Sequence, residues 1–231
     1  MEFPTWEPVY EEILADFGFG RGADERARDR LTDILDGAET LALWTVDFTG
    51  KTVAIAGAGP NLEAETDRAV SADTVLAAST AADRLEDTGV TVDCMVTDLD
   101  KNPETVARLT AAGTPVAVHA HGDNIPMLET HVPTFEASAL LPTTQAAPTA
   151  GVFNPGGFTD GDRAAFLADH CGAAELTFLG WDFDDTSVAP MKQRKLRWAE
   201  RLLLWLERRR DEQFTVLEGR RGSIDDSVLP V

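Results

Sequence analysis

Between residues 51 and 182 short apolar runs alternate with stretches of helical period, and this alternation constrains the fold more than any other feature. The runs are TVAIAG, DTVLAAS, VDCMVTD, PVAVHAH, ASALLPTT and ELTFLGWD. Between them lie NLEAETDRAV, TAADRLEDTG, NPETVARLTAAG, NIPMLETHV and DGDRAAFLADHCG, and the long PMKQRKLRWAERLLLWLERRRDEQ follows. Nearly continuous apolar runs are strands buried on both faces, and helical segments between them are the crossovers of a parallel sheet. The expected fold is α/β: an open, mostly parallel sheet of six to seven strands flanked by helices, with FTVLEG (214–219) as an added edge strand.

Residues 1–40 have another texture. Trp6, Tyr10, Ile13, Leu14 and Phe17 recur at helical spacing, GFGRGAD breaks the pattern, and Asp24 is placed to cap a second helix through Leu35. The expected organisation is an N-terminal helical segment over 1–40 and an α/β catalytic domain over 41–231.

Forty acidic against twenty basic residues give a net charge of −20, which argues against a nucleic-acid or anionic-membrane surface. No apolar stretch approaches the ~20 residues needed to span a bilayer, and the first residues lack a basic-then-apolar leader, so the cytoplasm is the expected place. Cys94 and Cys171 form no CxxC pair and are read as buried free thiols. Lysine is confined to Lys51, Lys101, Lys192 and Lys195, a composition suited to a halophilic cytosol where salt screens repulsion to a few ångströms.

Polar residues cluster where the apolar runs end. CMV is followed by Asp98 and Asp100, VAV by His119, His121, Asp123 and Asn124, ALLP by Thr143, Thr144 and Gln145, and LTFLG by Asp182, Asp184 and Asp185. The carboxyl ends of strands are the edge at which open α/β sheets bind ligands. In DLD, two carboxylates two apart on an extended segment point the same way and suit one hard divalent cation such as Mg²⁺, which takes one or two carboxylates together with substrate phosphates. Asp123 reaches the same rim from the neighbouring strand.

GAGP (Gly57, Gly59, Pro60) lies between the first strand and its helix, where glycines permit close backbone approach to phosphate. It lacks the third glycine of a dinucleotide fingerprint, and the second strand ends AAST with no acid for a ribose, which excludes a nicotinamide enzyme. In NPGGFTDGDRAAF, Thr159 or Asp160 can cap a helix; capping leaves further charges, Asp162 and Arg163, to be explained. Lys192 and Lys195 share a helix face and suit charge neutralisation of a polyphosphate.

VTDLD, HAHGDN, GGFTDGDRA and the late KQRKL helix, in this order after GAGP, resemble the archaeal 6-hydroxymethyl-7,8-dihydropterin pyrophosphokinase family (MptE), itself similar to thiamin pyrophosphokinase catalytic domains. The resemblance covers roughly residues 40–200. It implies Mg²⁺-dependent transfer of the β,γ-pyrophosphoryl group of ATP to the hydroxymethyl group of the pterin, with release of AMP, on a route to tetrahydromethanopterin or folate-type cofactors. Small molecules are then the partners, and a homo-oligomer is compatible with the sequence. On this resemblance Asp98 and Asp100 would hold Mg²⁺ with Asp123 as third ligand or orienter. Gly57, Gly59 and Asn61 would cradle the ATP phosphates, and Lys192 and Lys195 would balance their charge. His121 or Asp123 would assist deprotonation of the hydroxyl, and Asn124, Asp160, Asp162 and Arg163 would contact pterin or nucleotide. Where family members carry an ADGA-like segment this chain has ASTAA (Ser79, Thr80), so the metal assignment rests on the three aspartates.

Three rival readings remain beside this one. A thiamin pyrophosphokinase would use another alcohol. A zinc hydrolase would use His119 and His121 with His131, His170 or Asp182 as helpers, and a non-catalytic module would bind nucleotide alone. The charge reading carries its own test: raising salt from low to molar concentration should raise the melting temperature, as followed by circular dichroism.

Overall fold

The computed structural model describes residues 1–230. Six strands form the sheet: β1 (Thr52–Ala56), β2 (Thr74–Ala78), β3 (Cys94–Thr97), β4 (Val116–Ala120), β5 (Leu140–Thr144) and β6 (Glu175–Leu179). Their spatial order is β5-β4-β3-β2-β1-β6, and every pairing is parallel. The chain steps outward from β1 to β5 and then returns across the sheet to place β6 on the far side of β1. All six carboxyl ends therefore share one edge.

The helices divide between the two faces. On one lie α3 (Thr66–Val70), α4 (Ala81–Asp87), α5 (Pro103–Ala111) and α6 (Ile125–His131), which connect successive strands, joined by α2 (Arg21–Ile34). On the other lie α1 (Phe3–Phe17), α7 (Asp160–His170) and α8 (Pro190–Arg210). The period of two along each strand feeds both cores. In β1, Val53 and Ile55 join the α7 side while Ala54 and Ala56 join the α3–α6 side. Such two-sided burial is why the strands read as unbroken apolar runs.

The N-terminal helices straddle the sheet. α1 ends at Gly18, whose left-handed φ of 69° turns the chain, and α2 begins at Arg21. Trp6, Val9, Tyr10 and Ile13 enter one core, while Ala27 and Leu31 enter the other. Phe19 of the turn between the helices lines a cavity with residues that follow β4 and β5, so the turn passes over the carboxyl edge.

Two expectations are corrected here. FTVLEG is no strand: Thr215–Leu217 form a 3₁₀ turn, because Phe214 and Leu217 insert into the core and Glu207 captures the Phe214 amide. Asp24 does not cap α2. It lies inside the helix, 4% exposed, because α2 starts three residues earlier.

Cys94 and Cys171 are free and buried, and burial pushes their thiols up to about 12 and about 11. No helix among the described residues is long and apolar enough to cross a membrane.

Phe166 is fully buried at the crossing of α7 with Trp6 of α1 and Trp205 of α8, its ring 5.9 and 6.0 Å from theirs. Phe166→Ala should therefore destabilise the fold by about 3–5 kcal/mol, read as a shift in the urea midpoint.

Candidate functional site

At the end of β3 the chain turns sharply. Leu99 adopts φ 65°, in the left-handed region unusual for a non-glycine residue, and is fully buried. Asp98 and Asp100 are therefore not spaced along an extended segment, as the sequence suggests, but flank a tight turn in which the Asp100 amide donates to Asp98 Oδ1 at 3.2 Å. They do share a rim, because burying Leu99 leaves both acids on its outer side.

β4 supplies the histidines. His119 faces the α7 side, with its Nδ1 3.1 Å from Thr143 Oγ1 and its Nε2 buried without a partner. Burial, with the Arg163 cation beside it, holds its pKa well below the ordinary imidazole value, so it is neutral. His121, one step beyond the strand, brings Nε2 to 3.3 Å from Asp98 Oδ2, each side chain 17% exposed. Asn124 sets this geometry. Its amide donates to Asp98 O at 2.8 Å and His119 O at 2.7 Å, and its oxygen accepts from the His121 amide at 3.0 Å. Asn124 is thus a buried strut with its polar atoms engaged by the protein, not the ligand contact the sequence suggests.

α7 adds Asp160 and Arg163. Arg163 donates to Asp160 Oδ1 at 2.9 Å and to Gln145 Oε1 at 3.2 Å, and its Nε is buried without a partner. Asp162 is wholly occupied by the capping box with Thr159, accepting from the Thr159 amide at 3.0 Å and hydroxyl at 2.6 Å and from the Phe158 amide. It belongs to the helix and not to a ligand.

From α8, Lys195 stands 5.6 Å over the Phe158 ring, and its pKa is lowered by burial and by Arg163 against the raising pull of Asp98 and Asp160. Lys192 is exposed, and its charge reaches Asp100 and Asp160. The two lysines therefore face the acids.

The acids strain against one another. Burial raises Asp98, but the His121 hydrogen bond and the Arg163 charge overcome it and hold the carboxyl well below the usual range. Burial and the Asp98 charge raise Asp100, and the same pair of causes raises Asp160 to about 7 against the pull of Arg163. Such a set of oxygen donors suits a hard cation that would relieve the repulsion.

Other expected residues lie elsewhere or are already engaged. Among the described residues no three His, Cys, Asp or Glu side chains gather closely enough to hold an ion. Asp123 therefore does not complete a triad with Asp98 and Asp100. The turn that Asn124 pins aims His121 at Asp98 and leaves Asp123 exposed, its amide 3.5 Å from His121 Nδ1. The same absence leaves the zinc-hydrolase reading without a ligand set; His170 meets the Met1 amino group instead, 2.7 Å from it.

The glycines after β1 serve packing. The Gly57 amide donates to Leu179 O at 2.9 Å and the Gly59 amide to Gly180 O at 2.7 Å, so neither is free for phosphate. A Cβ on either would stand 2.6 Å from Gly180 O. Asn61 donates to Trp181 O at 3.3 Å. Trp181 packs against Gly57 and Gly161, its indole nitrogen 3.0 Å from Ile55 O. Beyond it, Asp182 and Asp185 cap local turns and Asp184 pairs with Arg220, so the β6 cluster is turn chemistry.

A cavity of about 200 Å³ opens between the α1–α2 turn and the ends of β4 and β5, bordered by His121, Arg163 and Lys195. A larger one, about 820 Å³, is lined by Trp44, Phe153 and His170 and contains none of the strand-end residues. Asp24 and Gln145 both line the smaller cavity; Gln145 belongs to the polar cluster that the sequence sets at the ligand-binding edge, whereas the sequence suggests only a helix cap for Asp24. Asp24, Ala27 and Leu31 recur at i, i+3 and i+7, a spacing that marks Asp24 as inward-facing.

The family model described as "6-hydroxymethylpterin diphosphokinase MptE-like" matches residues 27–188. Three curated proteins named 6-hydroxymethyl-7,8-dihydropterin pyrophosphokinase are similar over nearly the whole chain. The one from Methanothermobacter thermautotrophicus is 36% identical over 228 residues, covering 91% of this chain and 97% of its own. That from Pyrococcus furiosus is 37% identical over 223 residues (90% and 95%), and that from Methanocaldococcus jannaschii 30% over 239 (93% and 99%).

The raised value of Asp160 has a measurable consequence. The folded chain keeps its proton up to about pH 7, whereas an ordinary carboxyl releases it near 3.8. Folding stability should therefore fall as pH rises between these values in the metal-free chain. Asp160→Asn should flatten that part of the profile, measured by denaturant midpoints at each pH.

Proposed function

Because this chain belongs to the MptE-like 6-hydroxymethylpterin diphosphokinase family, we propose that it transfers the β,γ-pyrophosphoryl group of ATP to the hydroxymethyl oxygen of 6-hydroxymethyl-7,8-dihydropterin, releasing AMP. The observation that carries the reading is the meeting, at one sheet edge, of Asp98 and Asp100 with His121 on one side and Lys192 and Lys195 on the other. In the reaction the acceptor oxygen forms a bond to the β-phosphorus while the bond from that phosphorus to the α-phosphate oxygen breaks. The hydroxyl proton leaves to a base, and AMP departs with the bonding pair. Such transfers depend on positioning and charge stabilisation more than on covalent chemistry.

Asp98 and Asp100 are the residues that would hold Mg²⁺, which supplies charge neutralisation to the phosphates. Two carboxylates suffice, since Mg²⁺ takes its remaining ligands from phosphate and water. His121 would take the acceptor proton. Its hydrogen bond to Asp98 orients the ring. Lys195 and Arg163 sit against the acids with part of their charge unspent, Arg163 through a buried Nε without a partner. They would balance the transferred group, with exposed Lys192 meeting the outer phosphate. The product would enter tetrahydromethanopterin or folate-type cofactor synthesis in the cytoplasm.

AMP release from Mg²⁺ and ATP should depend on the pterin alcohol and should not occur with thiamin. Asp98→Asn should lower kcat at least about a hundredfold while circular dichroism stays that of the wild type. An undiminished rate in the folded variant, or equal turnover of thiamin, would overturn the assignment.

A further inference from the structure

We propose that the cavity of about 200 Å³ under the α1–α2 turn seats the ring of the acceptor, with Asp24 and Gln145 reading its polar edge and Phe19 and Phe158 forming its walls. This rests on the acceptor proposed above and adds the residues that select it.

The cavity shares His121, Arg163 and Lys195 with the strand-end site, so a molecule in it lies directly beside the acid cluster. In ATP the purine is separated from the attacked β-phosphorus by the ribose and the α-phosphate. The attacking alcohol has no such spacer. A cavity bordering the reaction centre therefore belongs to the acceptor, and its size suits one flat bicyclic ring, not a whole nucleoside triphosphate.

Its walls are aromatic and thin. Phe17 stacks on Phe19 with centroids 5.3 Å apart and meets Phe158 at 5.1 Å, so three rings form one surface along this side. Phe19 remains 37% exposed, one of few large apolar side chains left so, in a turn whose neighbours are glycines. An exposed ring facing a cavity gains its burial when a flat ligand stacks on it. At Gly122 a side chain is impossible, because a Cβ would stand 2.5 Å from Ala23 Cβ; this close approach brings α2 and its Asp24 onto the end of β4.

The polar end of the cavity offers one acceptor and one donor. Asp24 accepts from the Tyr10 hydroxyl at 2.7 Å, the Gln145 amide at 2.9 Å and the Gly122 amide at 2.8 Å. A carboxylate has about four acceptor sites, so one is left. Gln145 spends one amide hydrogen on Asp24 and its oxygen on Arg163, so its second hydrogen is shared between the neighbouring His119 and a ligand. An acceptor beside a donor complements a lactam-type edge, a ring N–H or amino group next to a carbonyl, which is the edge a pterin presents. A ring lacking that edge would leave two buried polar groups unpaired, and such a loss discriminates strongly.

The test uses the whole chain and two readouts. Fluorescence titration with 6-hydroxymethylpterin in the absence of ATP measures ring binding alone, and steady-state kinetics then give separate KM values for the dihydropterin and ATP. In Phe19→Ala, at an exposed turn position, pterin affinity should weaken about tenfold or more and the dihydropterin KM should rise in parallel, with the ATP KM within about twofold of wild type; Gln145→Leu should weaken pterin binding in the absence of ATP by a similar factor. Asp24→Asn should do the same; if it fails to fold, the other two variants decide. Unchanged pterin binding in folded Phe19→Ala and Gln145→Leu would overturn the proposal, as would a rise in the ATP KM in place of the pterin KM. Should the wild type bind the pterin and lose it in these variants yet transfer nothing to it, the ring site stands and the reaction assignment falls.

Discussion

The side-chain amide of Asn124 is the tie on which the site depends. By bonding the carbonyls of Asp98 and His119 and the amide of His121, it joins the ends of β3 and β4 and fixes which side chain of the following turn faces the acids. Without it three backbone groups at the two strand ends would lose these hydrogen bonds, and the turn that carries His121 to Asp98 would lose its side-chain brace. Its burial at 4% exposure explains why the turn carries function while the Asn itself remains structural.

Around this tie the molecule concentrates charge that its composition otherwise disperses. A chain with net charge −20 places its buried cation Arg163 and two of its four lysines beside Asp98, Asp100 and Asp160. The arrangement is incomplete by itself. Asp100 and Asp160 are pushed toward neutrality by burial and by Asp98, while Arg163 and His119 keep buried nitrogens without partners. Unsatisfied groups of both signs in one crevice are a poor arrangement for stability and a suitable one for a polyanion held with a cation. The strained backbone at Leu99 belongs to the same pattern, since it turns both aspartates to the rim by burying the residue between them.

The architecture was legible because its signals are local. Six apolar runs became six parallel strands, and the strand-end clusters at β3, β4 and β5 do lie along one edge. Errors arose where one residue type serves two purposes. Gly57 and Gly59 are needed for close packing on Gly180 and Trp181, which reads in sequence like a phosphate loop. Asp162 caps a helix, Asp182 and Asp185 cap turns, and Asp123 lies exposed on the lining of the cavity under the α1–α2 turn; a carboxylate in a loop looks the same in each case. Asp24 is the opposite case, a buried carboxylate that resembles a cap in sequence because its partners Gln145 and Gly122 lie about a hundred residues or more along the chain.

Periodicity and burial of the apolar runs, which depend on near neighbours, thus determined by sequence alone that the chain is an open parallel α/β sheet with chemistry at its carboxyl edge. Only the tertiary structure decided which aspartates share a crevice and that the N-terminal turn closes over it. Those outcomes depend on which backbone carbonyls and amides were left to be satisfied where distant segments meet, and no local pattern encodes that count.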